Sequence, residues 1–319
     1  MRYYNIVITD PATSSIIKRW TSLSATGAVI PGALNIEMDF PVYNFDASNG
    51  AAYLKVWGIS IQDISQSFDF RGKTISVYAG MSKGLPLANK SQSGLILSGT
   101  INQSFGNWQG TNQSLDFYIT QEFGSPDSPK NIVLTWKKGV PLDEVIKIAL
   151  NIGFPDYLPK INISPNLVLG QDEVGYFQSI GQFAQYIKNI STNIINLPDY
   201  AGVNISVKDK IFIVEDGTTQ TTPKEIVFTD LIGQPTWINF GAIQFKAVMR
   251  ADLHVNDYIK MPKGMVTTTQ QSYSNLRNKS AFSGVFKISE LRHVGNFRQQ
   301  DANSWVTVVN ASYLVNSNV

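Results

Sequence analysis

The sequence predicts a mainly β protein with a central α+β domain, in which two related β domains stand at the two ends of the chain. Three observations predict this fold. Apolar and polar residues alternate with a period of two over much of the first third of the 319 residues, which is typical of half-buried strands. The period becomes helical after residue 124 and returns to that of strands near residue 224. A strand–turn–strand pattern also occurs twice, once before and once after the helical part.

The composition supplies enough apolar material for large cores and little charge. Hydrophobic residues make up 43% of the chain and charged residues 16%, which is below the usual quarter. Because charge is depleted at the centres of protein interfaces, this balance favours a protein with much of its surface in contact with partners. The net charge of +2 argues against bulk attraction to nucleic acid. The absence of cysteine excludes disulfides, thiolate nucleophiles and thiolate metal sites.

The start of the chain runs directly into a strand pattern. Residues 1–8 lack the apolar segment and small-residue cleavage site of a secretory signal. No apolar stretch approaches the ~20 residues that span a bilayer. We therefore expect no stable insertion into a membrane.

Residues 1–123 are predicted to form the first β domain, a sandwich or barrel-like unit. Leu34, Ile36, Met38 and Phe40 alternate with polar residues, as in a strand with one buried face. Further strands are predicted at residues 53–57, 75–79, 95–101 and 115–119. The polar stretches between them are expected to be loops.

Residues 124–222 are predicted to form the central α+β domain, which begins at a cluster of Gly, Ser and Pro at 124–129. Two helices are expected from apolar residues at helical spacing. The first stripe is Leu142, Val145, Ile146, Ala149 and Leu150, with Pro141 in the first turn and Gly153 as a left-handed cap. The second stripe is Tyr176, Ile180, Phe183, Ile187, Ile190 and Ile194. A hairpin of residues 203–207 and 211–214, with its turn at 208–210, completes the domain.

Residues 223–319 are predicted to form the second β domain. Its strands are expected at residues 226–229, 237–240, 243–248 and 258–261, followed by a hairpin from residue 284. The polar, aperiodic stretch 265–283 is expected to be a long loop before that hairpin. The shorter stretch 81–93 is its counterpart in the first domain.

The hairpin that occurs twice indicates an internal duplication. The first copy is anchored by Gly94, Gly106 and Ser114, and the second by Gly284, Gly295 and Ser304, with nearly the same spacing between anchors in both copies. Gly-Asn-aromatic sequences at residues 106–108 and 295–297 are predicted to form the two turns. The alternative is that the two hairpins share turn chemistry by chance, because Asn and Gly are favoured in turns generally.

The sequence offers little catalytic chemistry. His254 has Asp252 and Asp257 near it, and an alternating strand would place Asp252 and His254 on one face, as in a metal pair or an acid–base dyad. We interpret them as polar residues at a strand end. His293 lies in the duplicated hairpin, where we expect a role at a subunit contact. No phosphate-binding glycine loop, zinc-protease motif or serine-hydrolase elbow is present, so we expect no catalytic residues, no cofactor and no metal.

Short motifs along the chain resemble, in their order, the baseplate hub proteins of contractile-tailed bacteriophages. The C-terminal motifs are Leu-Ile-Gly-Gln-Pro-Thr at 231–236, the strands at 241–245 and 255–259, and Arg292-His293-Val294-Gly295-Asn296 ahead of Trp305. The N-terminal motifs are residues 37–40, 54–60 and 76–80, followed by Thr135-Trp136 with Gly139 and Pro141. The sequence departs from the family pattern in the long stretch 265–283 and in Phe-Arg-Gln-Gln at 297–300, where the family has a more acidic turn.

The resemblance implies a structural protein of the virion, located in the tail baseplate and assembled in the bacterial host cytoplasm. The resemblance implies that three identical chains form a ring and that each chain supplies two tail-tube-like β domains. A body with three-fold symmetry then presents six similar units. The implied partners are the tail tube protein, the central spike protein and the baseplate wedge proteins, with DNA passing through non-specifically. The expected subunit-interface residues are Trp108, Arg292, His293 and Trp305.

Two other functions remain open at this point. One is a tail-associated cell-wall hydrolase, for which Asp127, Asp143 and Glu144, or Asp172 and Glu173, could supply paired carboxylates. The other is a glycan-binding tail adhesin, in which Trp57, Trp108 and Trp305 could stack on sugar rings. We expect these carboxylates to belong to a linker or to helix starts, and these tryptophans to be core or interface residues.

Overall fold

We describe a computed structural model of the chain. It describes residues 1–42, 44, 51–82, 92–120, 124–125, 128–129, 131–197, 200–208, 211–217, 222–262, 282 and 284–313. The chain divides into two units: Met1–Val42, Ala51–Ile119 and Thr221–Val319 form the first, the β unit, and Tyr43–Gly50 with Thr120–Gln220 form the second, the α+β unit. Both predicted β stretches fall in one unit, and the division into three domains at residues 123 and 222 stays a prediction.

The strands and helices are as follows. The first strands are β1 (Arg2–Thr9), β2 (Ile16–Thr21), β3 (Asn35–Val42), β4 (Ala52–Trp57), β5 (Thr74–Met81), β6 (Gly94–Gln109) and β7 (Asn112–Thr120). The central strands are β8 (Gly124–Ser125), β9 (Ser128–Pro129), β10 (Ile132–Trp136), β11 (Leu158–Asn162), β12 (Glu173–Phe177), β13 (Asn204–Lys208) and β14 (Ile211–Glu215). The last strands are β15 (Lys224–Glu225), β16 (Thr236–Asn239), β17 (Ala242–Val248), β18 (Tyr258–Lys260), β19 (Val285–Asn296) and β20 (Trp305–Tyr313). The helices are α1 (Ile61–Ser65), α2 (Leu142–Gly153) and α3 (Ile180–Ile195).

The alternating pattern of the first third produces the expected strands. In β3, Ile36, Met38 and Phe40 are buried, whereas the residues between them are only half-buried. The same alternation buries Tyr4, Ile6 and Ile8 in β1. These side chains share one hydrophobic core, so the prediction of a mainly β fold is confirmed.

The strands of the β unit form one sheet of 13 strands over the described residues. Its order is β16-β17-β20-β19-β3-β4-β7-β6-β5-β1-β2, with β18 pairing β19 and β15 pairing β18. The two predicted β stretches therefore join where β19 pairs antiparallel with β3, from Leu291 opposite Val42 to Asn296 opposite Glu37. We call this pairing the internal junction.

The strand order contains the same arrangement twice. The order β3-β4-β7-β6-β5 in the first stretch has the same form as β16-β17-β20-β19-β18 in the second. Each strand of the first set corresponds to the one at the same place in the second, so that β3 corresponds to β16 and β6 to β19. This agreement supports the duplication, since chance similarity of turns does not reproduce the neighbours of five strands.

Some local predictions for the β unit were wrong. Residues 106–109 lie inside β6, and the turn to β7 falls at residues 110–111 instead. The expected strand at 226–229 is replaced by a 3₁₀ turn at Phe228–Asp230. The predicted loops 81–93 and 265–283 lie for the most part outside the described residues.

The α+β unit follows the predicted periods closely. In α2, the five residues of the predicted stripe are all buried, and in α3 Ile180, Phe183 and Ile187 are buried. Strand β14 pairs antiparallel with β13 and parallel with β11, and β10 pairs with β12. The helices pack with these strands around one core that contains the fully buried Trp136 and Phe212.

Two details of this unit differ from the prediction. Gly153 is the last helical residue, and the cap is Phe154 with φ −138°, so Gly153 is not a left-handed cap. Tyr176 belongs to β12, and α3 begins after Ser179, whose hydroxyl accepts a hydrogen bond from the backbone N–H of Gln182. In the described part of the chain, no helix has the length and apolar character needed to cross a bilayer.

Candidate assembly edges of the sheet

The internal junction is held by polar contacts on one side of the sheet. The Arg292 guanidinium contacts the Asp39 carboxylate through two nitrogens, with Nε 2.6 Å from Oδ1. Asn296 Nδ2 donates to Glu37 Oε1 at 3.3 Å. Both pairs join residues of β19 to residues of β3, so they favour this partner and this register. Arg292 remains 58% exposed, which keeps the free energy of this ion pair small.

The other side of the junction is an aromatic cluster. Phe297 contacts Tyr4 edge-to-face with ring centroids 4.9 Å apart, and Trp305 at 6.0 Å. The backbone N–H of Phe297 donates to the carbonyl of Ile36 at 2.9 Å. Trp305 is buried and donates its indole N–H to the Gly80 carbonyl at 3.0 Å. Aromatic packing and satisfied hydrogen bonds thus stabilise the contact between the two halves of the sheet.

Two arginines donate hydrogen bonds to backbone carbonyls beside the internal junction. Arg2 donates through Nη1 to the Asn296 carbonyl at 2.6 Å and through Nη2 to the Asp301 carbonyl at 2.9 Å. Arg298 donates through Nη2 to the Ala33 carbonyl at 2.5 Å. Each arginine joins one end of the chain to the other, and Arg2 does so across 294 residues of sequence.

His293 is buried in the junction rather than exposed at a surface. Its Nδ1 lies 2.9 Å from the hydroxyl of Thr307. Burial lowers the pKa of His293 to about 4, with a smaller contribution from the charge of His254. The imidazole is therefore neutral at neutral pH and is shielded from solvent.

The β unit also contains a buried network of charged residues that was not predicted from the sequence. The Arg250 guanidinium donates to Asp230 Oδ2 at 2.7 Å and to both oxygens of Asp252, at 2.9 and 2.7 Å. Gln92 Nε2 donates to the other oxygen of Asp230 at 3.0 Å. Arg250 and Asp230 have only 5% and 6% of their side chains exposed. The network ties Gln92 of the first stretch to the loop after β17.

The residues around His254 that were considered as a metal pair or an acid–base dyad form structural hydrogen bonds. Asp257 accepts hydrogen bonds from the His254 backbone N–H at 2.7 Å and from Lys224 Nζ at 2.5 Å. Burial raises the pKa of Asp257, but the bonds from His254 and Lys224 outweigh it and hold the pKa below its usual value. Asp252 is bound to Arg250 instead. Asp252 and His254 lie in the loop after β17, so they do not share the strand face that a metal pair or an acid–base dyad would need. Among the described residues, no three His, Asp or Glu side chains are grouped as a metal site.

One edge of β6 is open for half its length. On that edge β6 pairs with β5 only from Gly94 to Thr100, and Ile101 then bonds to Gly72 and Lys73. Within the described ranges, residues 102–109 have no strand on this edge. Trp108 is 61% exposed here, and its indole N–H bonds to the nearby Gly110 carbonyl at 2.8 Å.

The end strand β16 is the second open edge. It pairs with β17 on one side, and no described strand pairs with its other side. All four of its residues are exposed. Trp237 and Ile238 are 44% and 49% exposed, and Phe240 follows directly in full solvent contact. Trp237 stacks on Phe282 of its own chain at 5.5 Å.

The four predicted interface residues therefore occupy different environments. Arg292, His293 and Trp305 meet at the internal junction, where they contact residues of their own chain. Trp108 lies on the open edge of β6. A role for any of them in a subunit contact stays a prediction. Phe297 was not predicted from the sequence as a contact residue. Phe297 corresponds to Trp108 in the repeat, so the repeat could have identified it.

Two solved structures with a similar fold are tail proteins, and a third is a chain of a PdpA-VgrG complex. The 43 kDa tail protein of prophage MuSo2 from Shewanella oneidensis has a TM-score of 0.53 at 7% identity, with 98% of each chain covered. The tail protein from Neisseria meningitidis MC58 has a TM-score of 0.50 at 9% identity, with 98% of this chain and 96% of that chain covered. A chain of the lidded Francisella PdpA-VgrG complex also has a TM-score of 0.50 at 9% identity, and all of this chain matches 53% of that one. No protein-family model and no curated protein sequence matches significantly. The chain thus shares its fold with tail proteins, one of them from a prophage, as the resemblance predicted.

Proposed function

We propose that the chain is a structural baseplate hub of a contractile phage tail, which forms a homotrimeric ring between the tail tube and the central spike. The observation that carries this proposal is the strand arrangement that occurs twice in one sheet. Three chains with two such arrangements each present six similar units, so a three-fold body can join a six-fold tube. The likeness of fold to two tail proteins, one of them from a prophage, supports a place in the tail.

The proposed partners follow from this position. They are the tail tube protein on one side, the spike protein on the other and the baseplate wedge proteins around the ring. One of the similar folds belongs to a complex that contains VgrG, which supports a spike partner. The net charge of +2 suits a channel that passes DNA without binding it tightly.

We further propose that the protein has no catalytic role and no cofactor. Three of the described groups that could act as acids or bases have structural partners: Asp172 is bound by Lys137, Asp257 by Lys224 and His293 by Thr307. These contacts account for the three groups without a catalytic role. A cell-wall hydrolase and a glycan-binding adhesin are the alternatives to this function.

The test is the mass and shape of the purified protein. By light scattering after gel filtration we expect three times the chain mass of 35.3 kDa, and in negative-stain micrographs we expect rings. The same preparation should neither clear a peptidoglycan suspension nor bind a glycan array. A stable monomer that clears peptidoglycan would establish the hydrolase instead, and a glycan-binding protein without rings would establish the adhesin.

A further inference from the structure

The internal junction shows how one repeat of this fold joins the next. It pairs the C-terminal part of β19, in the second repeat, with β3 of the first. By the repeated strand order, β6 corresponds to β19, and β16 corresponds to β3. The counterpart of the internal junction is therefore a pairing of β6 with β16.

This second pairing does not form within the chain over the described residues. Strand β16 stands at one end of the sheet, and six strands separate it from β6 in the strand order. Both edges are nevertheless open over the described residues: residues 102–109 of β6 on one side and β16 on the other. Two copies of the chain are needed to bring them together.

The residues at the two open edges match those at the internal junction. The spacing of the repeat places Trp108 at the position of Phe297, whose ring and backbone N–H both contact the first half of the sheet. Phe297 has its partners Tyr4 and Ile36, whereas Trp108 is 61% exposed. An aromatic residue with no covering partner at this position is what an unfilled copy of the junction requires.

The charge pattern separates these edges from the other end of the sheet. Residues 102–109 and 233–240 contain no charged side chain, although exposed edge strands are usually protected by charge. Strand β2, at the opposite end of the sheet, carries Lys18 and Arg19. The protected edge is thus β2, and the two unprotected edges are the pair that the repeat relates.

We propose that β16 of one copy pairs antiparallel with residues 102–109 of β6 in the next copy, and that Trp108 and the exposed apolar residues around Trp237 become buried there. The contact joins two different surfaces, so it is directional, and it closes into a ring when the rotation between copies divides a full turn. The proposal rests on the proposed ring-forming function and adds the edges that form the ring. Each copy then contributes one internal junction and one junction between copies.

Cross-linking tests the contact directly, because the chain has no cysteine of its own. Two single-cysteine proteins, Gln103→Cys and Thr236→Cys, are mixed, allowed to exchange subunits and treated with a short flexible bis-maleimide. Gln103 and Thr236 are both exposed. We expect a cross-linked dimer that contains one of each protein. The matched control is Ile17→Cys, on the exposed edge of β2, which should give no dimer with Thr236→Cys.

A charge on the open edge supplies the second arm of the test. We expect Ile238→Lys to reduce the mass in solution threefold, with an unchanged circular dichroism spectrum, and Ile17→Lys to leave the mass unchanged. If the wild type is a trimer but the cross-link is missing and Ile238→Lys stays trimeric, the edges are wrong and the hub function stands. If the wild type is itself a monomer, the proposed function fails, and this proposal with it.

Discussion

Trp305 donates its indole N–H to the carbonyl oxygen of Gly80 at 3.0 Å, across 225 residues of sequence. The bond is buried and connects the second β stretch to the first. Neither residue can find water if the partner is removed, so this contact reports on the cohesion of the whole β unit.

We expect Trp305→Phe to lower the free energy of unfolding of the β unit by about 1–3 kcal/mol, because it leaves a buried carbonyl with one partner fewer and creates a small cavity. Urea unfolding followed by circular dichroism measures the change. Ile16→Ala is the matched control, since Ile16 is 61% exposed in β2 and its side chain fills no buried space. Equal effects of the two substitutions would contradict the role of the buried bond.

The network of Arg250 gives a prediction about buried charge. Asp230→Asn should lower the free energy of unfolding by about 3 kcal/mol, because it removes one carboxylate from a guanidinium that is shielded from water. Asp172→Asn breaks the exposed pair with Lys137 and should have little effect. The difference should persist in high salt, since buried pairs are screened weakly. If the loss of unfolding free energy in Asp230→Asn disappears at high salt, the pair of Arg250 and Asp230 is exposed to solvent rather than buried.

His293 predicts a dependence of stability on pH. Its pKa is about 4 in the folded protein and 6.5 in the unfolded chain, so between these values the unfolded state binds more protons and stability rises with pH. The contribution is fully present above pH 6.5, falls as the pH is lowered and amounts to about 3 kcal/mol over the whole window.

The measurement is the free energy of unfolding from urea titrations between pH 7.5 and 4. His293→Gln keeps a neutral polar side chain and should show a flatter dependence in this range. Identical slopes for the two proteins would mean that the pKa of His293 is not lowered in the folded protein.

Gly295 predicts a steric effect at the internal junction. A Cβ at this position would lie 2.5 Å from Met38 Cε and 2.9 Å from Trp305 Cε3. We expect Gly295→Ala to lower the melting temperature, with a loss of about 1–3 kcal/mol from overpacking. Gly32→Ala, whose Cβ would meet no atom within 4 Å, should be neutral or slightly stabilising. Differential scanning calorimetry compares the two, and an unchanged transition for Gly295→Ala would show that the junction is loosely packed.

Local patterns were sufficient to predict most of the elements. The stripe from Leu142 to Leu150 predicted α2 correctly, because helical spacing puts its five residues on one face, and that face is buried in the core of the α+β unit. The alternation around Met38 gave β3 in the same way. Where a local signal was weak, as at Val227 ahead of the 3₁₀ turn, the predicted strand was wrong, since two or three apolar residues do not distinguish a strand from a turn.

The pairing of β3 with β19 was not predicted, and the physical reason is clear. The edge of a strand presents the same backbone groups whatever its partner, so alternation alone does not identify a neighbour from the other end of the chain. Arg292 and Trp305 were found through the repeat, but their partners Asp39 and Gly80 were not, because a single sequence contains no sign of which residues meet. The Arg250 network was missed for the same reason.

The distance in sequence between Asp39 and Arg292 is 253 residues, and it has a consequence for the nascent chain. At a synthesis rate of about 5–20 residues per second, β3 emerges roughly 10 to 50 seconds before β19 exists. During that time its edge is open to other chains. Glu37, Asp39 and Pro41 are the kinds of residue that keep an open edge from aggregating, and two of them later face β19 partners. The acidic groups that position the finished sheet therefore also protect it while the ribosome is still working.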